Sequence, residues 1–366
     1  MSSVPRPIHE ASQSTSRGLI GGALGLLLRY GMVVVLVVMI VVTAGLDRNF
    51  LTQPNLLNLL LQWAPAGLMA IGMTFVIISG GFDLSVGGTY AAGGVIFAAL
   101  TVHGNTWVAL LITLLAGAGI GLLNGLVITR LSVNPFVATL GAGFVIRGVA
   151  EVGSNATPII VDKPAFTLIG QDKLGAVPVP GIILVVGLIL GAIVLAKTVY
   201  GRSIYAIGGG DEASRLAGLR TRMLRASTYM ITGVGAALAG AIIASRLGSA
   251  QADVGGDIEL QVITIVVVGG TALAGGEGAI WRTAVGIAIL AILGNAFDHL
   301  QVNTFYQEII EGGIIIFAIA VDSYGKRRSQ QEARVSSWRS RRAVVAGETE
   351  SPAAHSPGIG DTEKAE

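Results

Sequence analysis

The chain has 366 residues, of which 52% are hydrophobic and 13% charged, with a formal net charge of +2 and a mean hydropathy of +0.72. This composition excludes an ordinary soluble protein. The absence of cysteine excludes disulfides, thiol catalysis and cysteine-ligated metal centres, and the four histidines have no ligand spacing, so we expect no metal site.

Apolar stretches long enough to cross a bilayer recur along the chain. A crossing helix needs about 20 apolar residues, and in hydrocarbon only helices or closed barrels satisfy their backbone hydrogen bonds. The stretches are continuous rather than alternating, so we predict an all-α integral membrane protein with about ten transmembrane helices. In chain order the predicted spans are 19–46, a second that ends near 79, 86–103, 107–129, 133–152, 181–199, 227–245, 258–274, 279–298 and 305–322.

Glycine is concentrated inside these apolar stretches. The chain contains 52 glycines, about twice the usual share. Gly121 with Gly125, and Ala236 with Gly240, place small residues four positions apart, a spacing that lets helix backbones approach closely. We therefore predict a glycine-rich, closely packed helical bundle.

The basic residues follow the predicted topology. If the chain starts inside, the segments that return to the cytoplasm contain most of the arginines, whereas the longer outside segments, 47–54 and 153–179, have about as many acids as bases. This is the positive-inside bias of membrane proteins, and it predicts that both termini are cytoplasmic. Arg246 falls outside and is the visible exception.

A charged segment at 200–226 interrupts the apolar sequence and must lie in water. A short charged helix that projects from an apolar bundle gives a soluble partner a surface to bind, and Ala213, Leu216, Ala217 and Leu219 would add a small apolar face. A solvated loop between two spans is the alternative interpretation. The charged residues of the segment are Arg202, Asp211, Glu212, Arg215, Arg220, Arg222 and Arg225.

Three tracts resemble one known family. They are GMTFVIISGGFDLSVGG at 72–88, YGRSIYAIGGGDEASRLAGL at 200–219 and GGTALAGGEGAIWRTAVG at 269–286. All three are similar, in the same order, to segments of the permease subunits of bacterial ABC importers of the ribose type. The resemblance covers roughly 50–323 and, together with the first predicted span, gives a permease domain at 19–323. The polar tails at 1–18 and 324–366 lie outside the resemblance, and their composition and the charge distribution predict disordered cytoplasmic termini.

The resemblance also assigns a role to the charged segment. It is similar to the cytoplasmic coupling loop through which such permeases contact a separate ATP-binding subunit. The implied coupling residues are Gly208, Asp211, Glu212, Ala213, Arg215 and Gly218, and Gly218 would also end the helix. No GxxxxGK[ST] motif occurs, so ATP and Mg would be used by that partner and no cofactor is expected on this chain.

The family implies further partners and a location. Two permease subunits, identical or different, work with ATP-binding subunits and an extracytoplasmic substrate-binding protein in the bacterial inner membrane. The contacts expected are therefore with these proteins and with lipid, and not with nucleic acid.

Six polar residues are candidates for the transport path or its gate. Asp83 and Ser85 either cap the third predicted helix or lie where glycines open the helix to water. Arg147 lies deep in the fifth span, with Glu151 one turn later as a possible ion-pair partner. The remaining candidates, whose alternative role is ordinary interfacial polarity, are Asn295, Tyr306 and Gln307.

The function expected from the resemblance is transport rather than catalysis. The chain would be the permease subunit of an ATP-driven importer for a monosaccharide or a similar polyhydroxylated solute. An ion-gradient-driven transporter or channel, and a membrane receptor or scaffold without transport, are the alternatives that the residues leave open.

Overall fold

The computed structural model describes residues 31–303, 305–307, 309–310 and 312–314 and positions 316 and 320. The expected tails at 1–18 and 324–366 lie outside these residues, as does the start of the first predicted span. The helices are α1 (Gly31–Leu46), α2 (Gln53–Ile78), α3 (Val86–His103), α4 (Thr106–Leu131), α5 (Pro135–Ser154), α6 (Pro164–Gln171), α7 (Val179–Lys197), α8 (Val199–Gly209), α9 (Asp211–Leu216), α10 (Thr221–Leu247), α11 (Ile258–Val268) and α12 (Ile280–His299).

Strand structure in the described part of the chain is limited to four two-residue pieces in two antiparallel pairs. One pair joins β1 (Ile159–Ile160) to β4 (Ser249–Ala250), and the other joins β2 (Lys173–Leu174) to β3 (Val177–Pro178). The prediction of an all-α membrane protein is confirmed.

Within the described residues, seven helices are long and apolar enough to cross a membrane: α2, α3, α4, α5, α7, α10 and α12. They correspond to seven of the ten predicted spans, with ends that differ by at most a few residues except at the start of α10. The described part of the first span is helical as α1, and the tenth span is only partly described. The total of ten therefore stays a prediction.

The eighth predicted span, 258–274, is helical only in its first part. α11 has 11 residues and ends at Val268, because Gly270 adopts φ +90° and turns the chain away from the helix. Gly269 also lets the end of α11 approach α12 closely, since a Cβ atom on Gly269 would lie 2.5 Å from the Arg282 carbonyl oxygen. The apolar residues that follow form a loop, so apolarity alone placed this end incorrectly.

α10 lies at the centre of the bundle, packed against α2, α3 and α4. A Cβ atom on Gly125 of α4 would lie 2.6 Å from the Ala226 Cα atom of α10, and Gly121 is equally close to the backbone at Tyr229. Gly240 of α10 meets the backbone of α3 at Tyr90. These contacts confirm the predicted close packing through small residues.

Contacts between elements join the helices at the two ends of the bundle, which we label inner and outer after the predicted topology. At the inner end, the Gly276 amide donates to the Ile78 carbonyl at 2.9 Å, which joins the 269–279 loop to the end of α2. At the outer end, Lys163 donates to the Thr101 carbonyl at 2.7 Å, which joins the segment before α6 to the end of α3. α8, α9 and the start of α10 lie at the inner end.

Candidate functional site

The predicted coupling residues form a helix–break–helix unit at the inner end. α8 stops at Gly209, and Gly210 is in extended conformation before the six-residue α9. Acidic Asp211 and Glu212 begin α9 and basic Arg215 lies in its last turn, the order that the helix dipole favours. The charge pattern of the sequence therefore explains why so short a helix forms here.

Gly218 ends α9, as the sequence predicts. Its φ of +87° is the left-handed conformation that glycine adopts without a Cβ clash. The Gly218 amide donates to the Arg215 carbonyl at 3.0 Å and the Leu219 amide to the Ser214 carbonyl at 3.1 Å. This pair of bonds is a Schellman motif, which satisfies carbonyl groups that the end of the helix would leave unpaired.

One arginine anchors α9 to the bundle. Arg225 of α10 forms an ion pair with Asp211 at 3.1 Å, and its Nε atom donates to the Ser79 carbonyl, just after α2, at 3.2 Å. Gly208 adds a second fixed point, because a Cβ atom there would overlap the Ile78 carbonyl oxygen at the end of α2. The unit is therefore attached to the end of α2 at two places.

The outward side of α9 is free for a partner. Leu216 is 80% exposed, and Ala213 is exposed beside it. Glu212 and Arg215 form an ion pair at 3.7 Å, but both side chains are largely in solvent, so the pair contributes little stability. Leu219, expected on the same apolar face, instead packs against the core and is only partly exposed.

Asp83 and Ser85 belong to a second cluster, in the turn between α2 and α3. The Ser85 hydroxyl donates to Asp83 Oδ1 at 2.5 Å and the Ser85 amide donates to the same atom at 3.0 Å. Asn124 of α4 donates to the Ser85 hydroxyl oxygen at 2.7 Å, and Thr139 of α5 accepts from the Leu84 amide at 2.9 Å. We call Asp83, Ser85, Asn124 and Thr139 the inner polar cluster.

The inner polar cluster is enclosed by protein. Asp83 is 1% exposed, and burial raises the pKa of its carboxyl from 3.8 to about 6, although the bonds from Ser85 oppose the shift. Asp83 accepts from Ser85 and not from the first-turn amides of α3, so its carboxylate fixes the turn and does not cap the helix in the expected way. Asn124 was missed from the sequence, although an amide inside the apolar run 116–125 was a visible signal.

Arg147 does not pair with Glu151. Its Nη2 atom donates to the Gly255 carbonyl at 3.3 Å, and its positive charge also acts on the Glu259 carboxylate. Glu151 is exposed and forms no ion pair with the described residues. Of the alternatives that the sequence left open, the ion pair with Glu151 is not formed, because the arginine reaches across to the segment before α11.

The remaining candidates lie at the outer end. Asn295 is buried and exchanges two amide hydrogen bonds with Asn55 of α2, both at 3.0 Å. Tyr306 is exposed, and Gln307 donates to the Val302 carbonyl at 2.9 Å. The structure therefore does not bring the six predicted path residues together.

Comparison with known proteins identifies the family. The chain matches the family described as "Branched-chain amino acid transport system / permease component" over residues 55–319. The ribose import permease protein of Bacillus subtilis is 38% identical over 301 residues, which is 81% of this chain and 94% of that protein. The ribose import permease protein of Escherichia coli is 37% identical over 295 residues, 79% of this chain and 92% of its own.

A third relative carries a different sugar in its name. The L-arabinose transport system permease protein of Escherichia coli is 35% identical over 300 residues, 82% of this chain and 92% of that protein. No solved structure matches the chain. The resemblance seen in the three sequence tracts is confirmed, and the chain belongs to the branched-chain amino acid transport system / permease component family, whose members are transport components and not enzymes.

Proposed function

We propose that this chain is the membrane permease subunit of an ATP-driven importer that admits a monosaccharide or a similar polyhydroxylated solute. The relatives named above are permeases for ribose and arabinose, which supports a sugar over the amino acids in the family description. An extracytoplasmic binding protein would deliver the solute, and a second permease subunit would complete the channel. The complex would lie in the bacterial inner membrane with both termini of this chain in the cytoplasm.

The observation that carries the proposal is the exposed, anchored α9. Leu216 and Ala213 offer a small apolar contact, and Glu212 and Arg215 flank it with opposite charges. Because the sequence has no nucleotide-binding loop, ATP and Mg would be bound by the subunit that docks here. The arginines at the inner end agree with a cytoplasmic position.

The anchoring contacts give the docked subunit a mechanical route into the membrane domain. Arg225 holds Asp211 of α9 and the Ser79 carbonyl at the same time, and Ser79 begins the turn that contains Asp83 and Ser85. A displacement of α9 would therefore move the end of α2 and the inner polar cluster. We assign Asp83 and Ser85 to this receiving turn, next to the path rather than along its wall.

The ion-gradient alternative is not favoured by the relatives, and no feature of the described residues favours a receptor or scaffold. Secondary transporters place ionisable groups along a proton or ion route. Asp83, the most deeply buried acid of the described residues, instead has its Oδ1 atom held by two bonds from Ser85.

Substitutions on α9 test the proposal. The chain is co-expressed with its candidate ATP-binding subunit, and the variants Leu216→Glu and Glu212→Lys are compared with the unmodified protein. Both side chains are exposed, so the membrane domain should fold normally while recovery of the ATP-binding subunit falls at least fivefold. Leu174→Glu is the matched control, because Leu174 is 74% exposed at the distant β2–β3 turn.

Recovery of the partner, solute uptake and membrane abundance are measured on the same preparations. Loss of partner recovery with both α9 variants and not with the control supports docking at α9. Unchanged recovery and unchanged uptake for both variants would show that the ATP-binding subunit does not dock there.

A further inference from the structure

The segment that leads into the short apolar helix α11 is not helical. After β4 at the outer end, residues 251–257 run without regular structure until α11 begins at Ile258. α11 has 11 residues, which is about 16 Å of helix and half of a bilayer crossing. The chain therefore crosses here as an irregular outer half followed by a helical inner half.

Neighbouring helices show how deep the irregular half reaches. Arg147, which donates to the Gly255 carbonyl, lies seven residues before Ser154 at the outer end of α5, or about 10 Å along the axis. From the other side, the end of α11 packs against the inner end of α12, which places Ile258 about 16 Å above that end. Residues 255–258 are thus near the middle of a hydrocarbon layer about 30 Å thick.

The backbone of this segment has unpaired polar groups. Among the described residues, no backbone amide of 252–257 donates a hydrogen bond to a protein acceptor. Each such group costs several kcal/mol in lipid, so irregular backbone at this depth occurs only inside protein or against water. Gly256 is exposed with open space around it, which excludes complete burial within this subunit.

The side chains of the segment point to water rather than to lipid. Asp253 and Asp257 are exposed, and neither carboxylate has a hydrogen bond or ion pair with another described side chain or backbone group. Asp257 adopts φ +60° and its side chain does not cap α11. Nearby, the Glu259 Oε2 atom is buried without a partner, an arrangement that a neighbouring water would explain.

We propose that residues 251–257 and the first turn of α11 line the water-filled translocation path, where the Asp253 and Asp257 carboxylates accept hydrogen bonds from the hydroxyl groups of the passing solute. This inference rests on the proposed importer function. Carboxylates suit such a solute because their two oxygens accept hydrogen bonds from neighbouring hydroxyl groups in several orientations. Arg147 holds the Gly255 carbonyl and so positions the turn between the two acids.

Thiol labelling tests the lining directly, since the chain has no cysteine of its own. Asp253→Cys, Asp257→Cys and Gly256→Cys are compared with Val145→Cys, which lies at a similar depth on the exposed apolar face of α5. A water-soluble methanethiosulfonate reagent applied to assembled complexes in membranes should modify the three segment positions at least tenfold faster than position 145. Ribose or arabinose at saturating concentration should slow the modification.

Two outcomes would contradict the proposal that residues 251–257 line the path. The first is that all three segment cysteines are as unreactive as Val145→Cys. The second is that they form disulfides between two copies of the chain while staying closed to the reagent, which would mean that a second permease subunit covers the segment.

The role of the acids is tested by flux. Asp253→Asn and Asp257→Asn keep the side-chain size, and each should lower solute uptake per assembled complex at least tenfold while solute-independent ATP hydrolysis stays unchanged. Asp162→Asn, an exposed acid before α6, is the matched control and should transport normally. Normal uptake by both segment variants would refute the solute contact and leave the importer function standing. If the unmodified chain recovers no ATP-binding subunit, the importer function fails, while the labelling result still decides whether the segment faces water.

Discussion

At the scale of single residues, Asp83 shows what burial does to an acid in a membrane protein. It lies in the turn outside both flanking spans, and burial raises the pKa of its carboxyl to about 6. Above that pH the protein holds a buried charge that it must desolvate, compensated in part by the two bonds from Ser85. The contribution of the inner polar cluster to folding stability therefore depends on pH.

The pH dependence follows from the direction of this shift. Because the folded pKa is above the unfolded value of 3.8, the folded protein binds more protons between about pH 4 and pH 6, so stability falls as the pH rises through that window and is constant above it. Asp83→Asn should remove the effect, which corresponds to about 3 kcal/mol. Melting temperatures of the purified protein from pH 4 to pH 7 measure it. With Asp162→Asn as control, an unchanged profile for Asp83→Asn would contradict this account.

The sequence identified candidate site residues but did not predict their hydrogen-bond partners. Asp83 was singled out by its glycine-rich surroundings, but the bonds from its neighbours Ser85 and Leu84 to Asn124 of α4 and Thr139 of α5 had no local signal. Helical spacing offered Glu151 as a possible partner of Arg147, whereas tertiary packing places the arginine against the Gly255 carbonyl. Local patterns identify which residues are unusual, whereas their contacts depend on how the helices cross.

At the scale of elements, helices were predicted well wherever the bilayer imposes their length. The bounds predicted for the third, fourth and ninth spans agree with α3, α4 and α12 within two residues, because hydrocarbon requires a continuous apolar helix. α11 was predicted too long because its apolar run continues past Gly269 and Gly270, where the backbone turns. Residues 251–257 carry two acids and two glycines and fall between the predicted seventh and eighth spans, so their lack of helix agrees with hydropathy; this segment is the element that the further inference concerns.

The outer ends of α2 and α12 are joined by a polar pair that gives a stability prediction. Asn295→Ala should destabilise the protein by about 1 kcal/mol, because the partly buried amide of Asn55 loses two bonds and keeps only its bond to the Phe50 carbonyl. The double variant Asn55→Leu with Asn295→Leu removes both amides and should recover part of that loss. Thermal denaturation of the three proteins in one detergent is the measurement, and a double variant less stable than the single one would show that the pair is not an isolated contact.

At the scale of the whole molecule, the protein has a central helix held by glycine contacts, an exposed helix α9 that we propose as the docking element, and a non-helical segment at 251–257 that we propose lines the path. α10 connects them, because its start carries Arg225 next to α9 and its end leads into β4 and residues 251–257. A displacement at α9 therefore has a continuous path of packed backbone to the proposed lining. In the proposed function, energy from ATP hydrolysis would enter through the partner subunit at α9.

The most direct test of this central claim is solute uptake into proteoliposomes that contain the chain with its ATP-binding subunit and its binding protein. Uptake of the labelled sugar should require ATP in the compartment on the α9 side of the membrane. It should persist when ionophores collapse all ion gradients, and it should be lost with Leu216→Glu. Uptake that proceeds without ATP and stops when the ion gradients are collapsed would contradict this claim.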